Sequence, residues 1–437
     1  MYPATYLGLE FKPTNMISFL LSHMNGQTSG NSQEIEPTEL KKKIDNHENI
    51  FILDVRTPQE YDAWKLSYEN HQNPKLIPVD RLFLNDSNLL REIPKDKEIV
   101  TLCAHGNRSM MAARLLNQLG YNVKSVRGGM AGWNKVYDVA EVPVPMEAPF
   151  RIWQIRRISK GCMGYIVSSK EDNTAVAIDP SREIYEAFLS VARENGLKII
   201  KVVDTHQHAD HVSGVAKLAR AISEEGNMET LAYFSSLEEY ESENAEINIR
   251  YLKDGDEIEV SKKISLRAIH TPGHTNGSIS FLIKYANDTD GKKSTEDPPH
   301  YSYLFTGDTL FVDSVGRPDL REEAKKYASL LYQTYHQKIV NLPENTLILP
   351  AHFNASSIAL THAEPISETI GSLKKKIKLL SMNEDEFVHL VTDTLPSRPM
   401  NYKTIIDINK RMLAFDDMQM PDLEAGPNSC AVSLEPK

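Results

Sequence analysis

The segment Thr205-His206-Gln207-His208-Ala209-Asp210-His211 places three histidines and an aspartate within six residues, immediately behind the apolar run Ile199, Ile200, Val202 and Val203. Imidazoles at alternate loop positions can converge on one cation, while Asp210 and His211 turn toward a second metal position or toward a supporting role. A solvated histidine-rich loop needs no apolar strand to deliver it. The pattern therefore predicts a metal site at the end of a strand.

Composition sets the outer bounds. A chain of 437 residues exceeds what one hydrophobic core usually organises, so two or three domains are expected. A formal charge of -11 and a pI near 5.7 argue against the basic face that binds nucleic acid, which leaves a small substrate as the expectation. No apolar run approaches the roughly 20 residues needed to cross a bilayer, so no membrane partner is expected, and Met16 to Leu21 lacks the flanks of a signal peptide. Cys103, Cys162 and Cys430 are too few and too scattered for a disulfide framework and fit a reducing, cytoplasmic setting.

Residues 1–33 read as a flexible extension. Residues 34–140 alternate helix-like and strand-like runs: a helix around Thr38 to Ile44, a strand Ile50 to Asp54, a helix near Pro58 to Trp64, a strand Ile99 to Cys103, a helix Ser109 to Leu119 and a strand Val123 to Val126. Such alternation implies a mostly parallel α/β sheet. Residues 141–150, with Pro143, Pro145 and Pro149, read as a linker between domains.

Residues 151–380 hold short strand-like runs at Gly164 to Val167, Ala175 to Ile178, Ile199 to Val203, Ile264 to Ile269, Ile279 to Ile283, Tyr303 to Phe305 and Leu347 to Leu349. Helix-like stretches at Arg182 to Asn195 and Val215 to Ser223 are interleaved, which suggests an αββα sandwich. Asn287 to His300 reads as a surface hairpin loop, and the basic run Leu373 to Leu380 as a helix with a solvated lysine face. Residues 381–437 read as a helical extension: Ser381 to Glu384 is a capping box opening a helix through Val391, and the tail from about Phe415 is expected to be disordered.

Three later segments each put a ligand type at a strand end: Thr271-Pro-Gly-His274, Thr306-Gly-Asp308 and Pro350-Ala-His352. Alone, His352 would more often be an ordinary surface or core histidine. Loops at one sheet edge converge, however, so His206, His208, Asp210, His211, His274, Asp308 and His352 can share one pocket. The order HxHxDH, PGH, GD and a final histidine resembles the metallo-β-lactamase superfamily over about residues 151 to 355. That superfamily includes dinuclear zinc thioester hydrolases of the glyoxalase II type and mononuclear iron persulfide dioxygenases.

The run from Gly307 through Gly316-Arg317-Pro318-Asp319 resembles the persulfide dioxygenase branch. The resemblance implies His206, His274 and Asp308 as ligands of a single Fe(II). It makes His208, Asp210, His211 and His352 supporting groups, or ligands of a second metal if the site is a two-zinc one. Arg317 would face the substrate's carboxylate or form an ion pair with Asp319.

In the first domain, Cys103-Ala-His-Gly-Asn-Arg-Ser109 follows a strand and opens a helix, so its backbone N–H groups can curl into an anion cradle that favours a thiolate nucleophile. With Leu53-Asp-Val-Arg56, Pro58-Gln-Glu-Tyr61 and Val126-Arg-Gly-Gly-Met-Ala-Gly-Trp133, this loop resembles a rhodanese domain over residues 35 to 138. The resemblance implies Cys103 as a persulfide carrier and Arg108 as its catalytic companion. One departure is the Lys65 to Lys75 stretch, where the family has a Gly-His-Ile-Pro-Gly-like turn. Cys162 reads as structural and Cys430 as incidental.

Together the resemblances imply a persulfide dioxygenase coupled to a rhodanese sulfurtransferase. Its partners would be a low-molecular-weight thiol persulfide, O2, and thiosulfate or sulfite, and a homo-oligomer stays open. The alternatives are a dinuclear zinc thioester hydrolase carrying a rhodanese domain, and a non-catalytic module that senses sulfane sulfur.

Overall fold

The computed structural model describes residues 33–68, 74–84, 87–226, 229–241, 247–285, 302–320, 323–354, 358, 360–398, 401–411 and 420–432. The expected extension at 1–33 and the hairpin loop at Asn287 to His300 lie outside them, apart from residue 33.

Five strands, β1 (Glu34–Ile35), β2 (Ile50–Asp54), β3 (Lys75–Leu76), β4 (Glu98–Leu102) and β5 (Asn122–Val126), form an all-parallel sheet in the order β1-β5-β4-β2-β3. Side chains alternate across it. Ile50, Ile52, Val100 and Leu102 enter one apolar cluster, while Phe51, Leu53, Ile99 and Cys103 enter another beneath helix Asn107–Gln118.

The second region is two facing sheets. Strands β6 (Tyr137–Val142), β7 (Phe150–Arg157), β8 (Cys162–Ser169), β9 (Thr174–Ile178), β10 (Lys198–Val203), β11 (Leu231–Ser235) and β12 (Asn248–Leu252) lie in sequence order across one. The other runs β13 (Glu257–Ser261), β14 (Ile264–His270), β15 (Ile279–Tyr285), β16 (Tyr303–Gly307), β18 (Leu347–Pro350) and β19 (Glu368–Thr369). A small antiparallel pair joins β17 (Val315–Gly316) to β20 (Ala431–Val432). Ile152, Val167, Val176 and Ile178 from the first sheet meet Leu266, Ala268, Phe281 and Phe305 from the second in one core. Helices Tyr185–Asn195 and Val215–Gly226 cover one outer face; Ala324–Thr334, Ile370–Lys376 and Glu384–Asp393 cover the other. This is the expected αββα sandwich.

Three expectations are corrected. Residues 141–150 do not separate domains, because β6 pairs antiparallel with β7 from Tyr137↔Arg157 to Val142↔Ile152. The prolines sit in the hairpin connection, outside the ladder, where a missing N–H costs nothing. The helix beyond residue 381 is capped by Asn383, whose side chain accepts from Glu386 N at 3.0 Å, rather than by Ser381. The tail is ordered over 420–432, with a helical turn Met420–Leu423 and strand β20.

The two regions are docked through buried and partly buried polar contacts. Trp64 Nε1 donates to Ser159 O at 3.1 Å, Arg157 Nε to Asn134 O at 2.8 Å, and Lys41 Nζ pairs with Asp138 at 2.7 Å. The apolar core between the sheets continues through Tyr68, Trp133 and Leu40 of the first region.

Candidate metal centre and cysteine loop

Strand β10 delivers His206, β14 delivers His274, β16 delivers Asp308 and β18 delivers His352, so the ends of four strands from both sheets meet at one end of the sandwich. His206 Nε2 and His274 Nε2 each lie 3.5 Å from Asp308 Oδ2. All three residues are buried, and none of those three atoms has a hydrogen-bond partner among the described residues. Buried polar atoms are rarely left unpaired. Two imidazole nitrogens and a carboxylate oxygen converging in this way fit a metal ion.

The remaining atom of each candidate ligand is held from behind. His206 Nδ1 is 2.9 Å from Thr205 Oγ1, which donates to Asp179 Oδ2 at 2.9 Å. His274 Nδ1 is 2.9 Å from the Arg317 carbonyl, and Asp308 Oδ1 is 2.5 Å from His352 Nδ1. With Nδ1 of both histidines protonated toward these acceptors, Nε2 keeps its lone pair for a cation. Burial pushes His274 down to about 3, which keeps the ring neutral.

The other expected residues form an adjoining chain. His352 Nε2 lies 3.0 Å from Asp210 Oδ2, an ion-pair contact off the line of a directed hydrogen bond, and Asp210 Oδ1 lies 3.0 Å from His211 Nδ1. Burial opposes charge on His352, but Asp210 and Asp308 on either side raise it well above the ordinary histidine value. His208 turns away from the three converging atoms: its Nε2 is 3.4 Å from Asp179 and 3.6 Å from Asp204. Cys162 Sγ sits 3.5 Å from Asp210 Oδ2, so this cysteine belongs to the same cluster.

Two sequence expectations change here. Cys430 is not incidental: it is buried beside Asp308 and His352, delivered by β20 pairing with β17 and by its carbonyl accepting from Arg317 N at 2.9 Å. Arg317 does not face a substrate. Its buried guanidinium spends every N–H on Asp319, Pro396 O, Ser397 O and Ser429. The ion-pair alternative describes it, and its carbonyl orients His274.

At the first region's centre, β4 ends at Cys103. Gly106 adopts φ 93° as N-cap of helix Asn107–Gln118, and its N–H donates to Cys103 Sγ at 3.1 Å. Ser109 Oγ adds a second contact at 3.3 Å, itself fixed by Ser125 Oγ at 2.8 Å. The loop is braced by the following glycine segment: Met130 N donates to Cys103 O at 2.7 Å, and a Cβ on Gly129 would lie 2.3 Å from that carbonyl. Arg108 is turned onto Glu60, with contacts of 2.9 and 2.5 Å, rather than onto Cys103. Hydrogen bonding from Arg108 lowers the Glu60 carboxyl to about 2.

Comparison with known proteins matches the two regions to two families. Residues 36–136 match the rhodanese-like domain, and residues 165–288 match the metallo-beta-lactamase superfamily. The chain is a rhodanese-like domain followed by a metallo-β-lactamase-type domain. More particularly, it is 28% identical over 247 residues to human persulfide dioxygenase ETHE1, covering 56% of this chain and 82% of that one. The bovine counterpart is 32% identical over 188 residues, 43% of this chain, which spans 62% of that relative's length. A hydroxyacylglutathione hydrolase from Polaromonas is 31% identical over 43% of this chain and 60% of its own. Among solved structures, a Staphylococcus aureus metallo-beta-lactamase aligns with a TM-score of 0.51 at 26% identity, covering 64% of this chain and 75% of that one. No described helix is long and apolar enough to cross a membrane.

Proposed function

We propose that the chain is a non-haem iron persulfide dioxygenase whose rhodanese-like domain handles sulfane sulfur on Cys103. The observation that carries this reading is the three-atom set His206 Nε2, His274 Nε2 and Asp308 Oδ2, convergent and without a hydrogen-bond partner among the described residues. Two histidines and one carboxylate are the donor set typical of non-haem Fe(II) oxygenases. Iron held there would supply the redox chemistry by which O2 reacts with a persulfide. The net reaction is R–SSH + O2 + H2O to R–SH + sulfite + 2 H+. The chain's own residues set the ligand tautomers, through Thr205, Asp179 and the Arg317 carbonyl, and His352 links the carboxylates of Asp308 and Asp210.

In the other domain the Cys103 thiolate attacks the outer sulfur of a sulfane donor, the donor's S–S or S–sulfonate bond breaks, and the donor leaves with the electron pair. The sulfur is held as Cys103–S–SH and passes to an acceptor nucleophile. Sulfite as acceptor gives thiosulfate; the reverse flow draws sulfur from thiosulfate and supplies persulfide to the metal domain. Oxygen uptake with a low-molecular-weight persulfide, measured alongside sulfite, tests the main claim. One sulfite formed per O2 consumed is expected, and thiol persulfide left intact under O2 would refute it.

A second reading is supported by the clustering of Asp210, His211 and His352 beside Asp308 and by the hydrolase relative. In that reading His206, His274, Asp308, Asp210, His211 and His352 would together hold two zinc ions, which would supply an activated water for thioester cleavage. Thioester cleavage without O2 uptake would select it.

A further inference from the structure

We infer that Asn409, in the extension beyond the sandwich, is a positioning residue for the metal-binding loop. The proposal rests on the metal-centre reading above and adds a part that neither ligand pattern nor family match contains, since residues 165–288 are the matched stretch.

The loop from Thr205 to Gly214 has no regular secondary structure of its own. Its ends are tied to the sandwich: Ile279 N donates to Thr205 O at 2.8 Å, and Gly214 N to Pro180 O at 2.6 Å. Its middle is tied to the extension. Asn409 Nδ2 donates to His208 O at 2.9 Å and to His211 O at 3.0 Å, while Asn409 Oδ1 accepts from Ser213 N at 2.9 Å. Glu424 Oε1 accepts from Val212 N at 2.7 Å. One amide therefore fixes the backbone on both sides of Asp210 and His211, and it is buried at 6% exposure.

A primary amide suits the task. Two N–H donors and one carbonyl acceptor match two loop carbonyls and one loop N–H, leaving nothing buried unpaired. An alanine there would orphan three backbone groups, each asking for water or for a shift of the loop. Because His206 lies two residues from the His208 carbonyl, such a shift would displace a ligand. The helix Tyr402–Arg411 that carries Asn409 also seats Ile408 against Val212, so apolar docking and polar positioning fall on neighbouring residues and can be separated by mutation.

The test uses the full chain and Co(II), whose binding is visible without O2, titrated against a chromophoric chelator. Wild type is expected to take up Co(II) and His274→Ala to lose it; if wild type binds none, the metal-centre reading itself fails, a result separate from the one below. Asn409→Ala is expected to weaken Co(II) binding by about 10- to 100-fold, the usual effect of removing a group that orients ligands. Ile408→Ala, which loosens helix docking alone, is expected to change it by less than about threefold, as a contact that leaves the ligands' geometry intact should. Equal weakening by both variants, or an Asn409→Ala affinity matching wild type, would overturn the proposal. Should Asn409→Ala fail to fold by circular dichroism, Asn409→Asp is read by the same criterion, since it keeps the acceptor for Ser213 and loses both donors.

Discussion

The two centres are built in opposite ways. The cysteine loop is the more local device: Cys103, Gly106 and Ser109 lie within seven residues, and their cradle of backbone and a serine hydroxyl is braced from Ser125 and the Gly129–Met130 segment. The metal centre is a distributed one, drawing its three candidate ligands from three strand ends and support from His352 at a fourth, from Asp179, Arg317 and the extension. A local site carries its geometry in its own sequence, whereas a distributed site is as good as the fold that assembles it. Damage far from the chemistry should therefore reach the metal centre and spare the cysteine.

The sharpest break of that contrast is His274→Ala. It is expected to abolish metal binding and persulfide-dependent O2 uptake, while sulfur transfer by Cys103 stays within about twofold, because separated sites act nearly additively. Metal analysis and a thiosulfate–cyanide assay on the same preparation check both halves. Cys103→Ser should do the reverse, removing sulfur transfer and leaving O2 uptake with an added persulfide unchanged; loss of both activities would mean that the centres cannot run separately.

Smaller changes refine the comparison. Thr205→Val removes the hydroxyl between Asp179 and His206 and should lower metal affinity by about 10- to 100-fold, read by chelator competition. Gly129→Ala places a methyl group against the Cys103 carbonyl at a backbone φ of 57°, and should slow sulfur transfer with no change in metal content. The mildest effect concerns pH. Arg108 depresses Glu60 in the folded chain to about 2 from the ordinary 4.5, so the pair's contribution to stability is present above the unfolded value and is lost as pH falls toward about 2. The difference in urea midpoint between wild type and Glu60→Gln should accordingly shrink between those two pH values.

The same contrast governs what the sequence made legible. The candidate ligands are readable because their types are rare at strand ends and their order is specific, and the parallel sheet follows from alternating apolar runs. The supports were not. Asn409 lies among helix residues whose apolar period, Ile405 and Ile408, signals docking and says nothing of the amide's partners. Cys430 looked incidental in a polar tail because the pairing of β20 with β17 joins residues more than a hundred positions apart. For Arg317 the sequence offers a substrate contact and an i,i+2 ion pair with Asp319 as alternatives, and its bonds to residues 396, 397 and 429, which leave the ion pair, carry no local mark. Pro143, Pro145 and Pro149 suggested a break in structure where the fold uses them to close a hairpin.

The central claim is a single iron held by His206, His274 and Asp308. Its most direct test is elemental analysis of the full chain, purified without added metal, together with the His274→Ala variant. One iron per chain, absent from the variant, is the predicted result; two zinc ions per chain supporting thioester cleavage with no O2 uptake would contradict it.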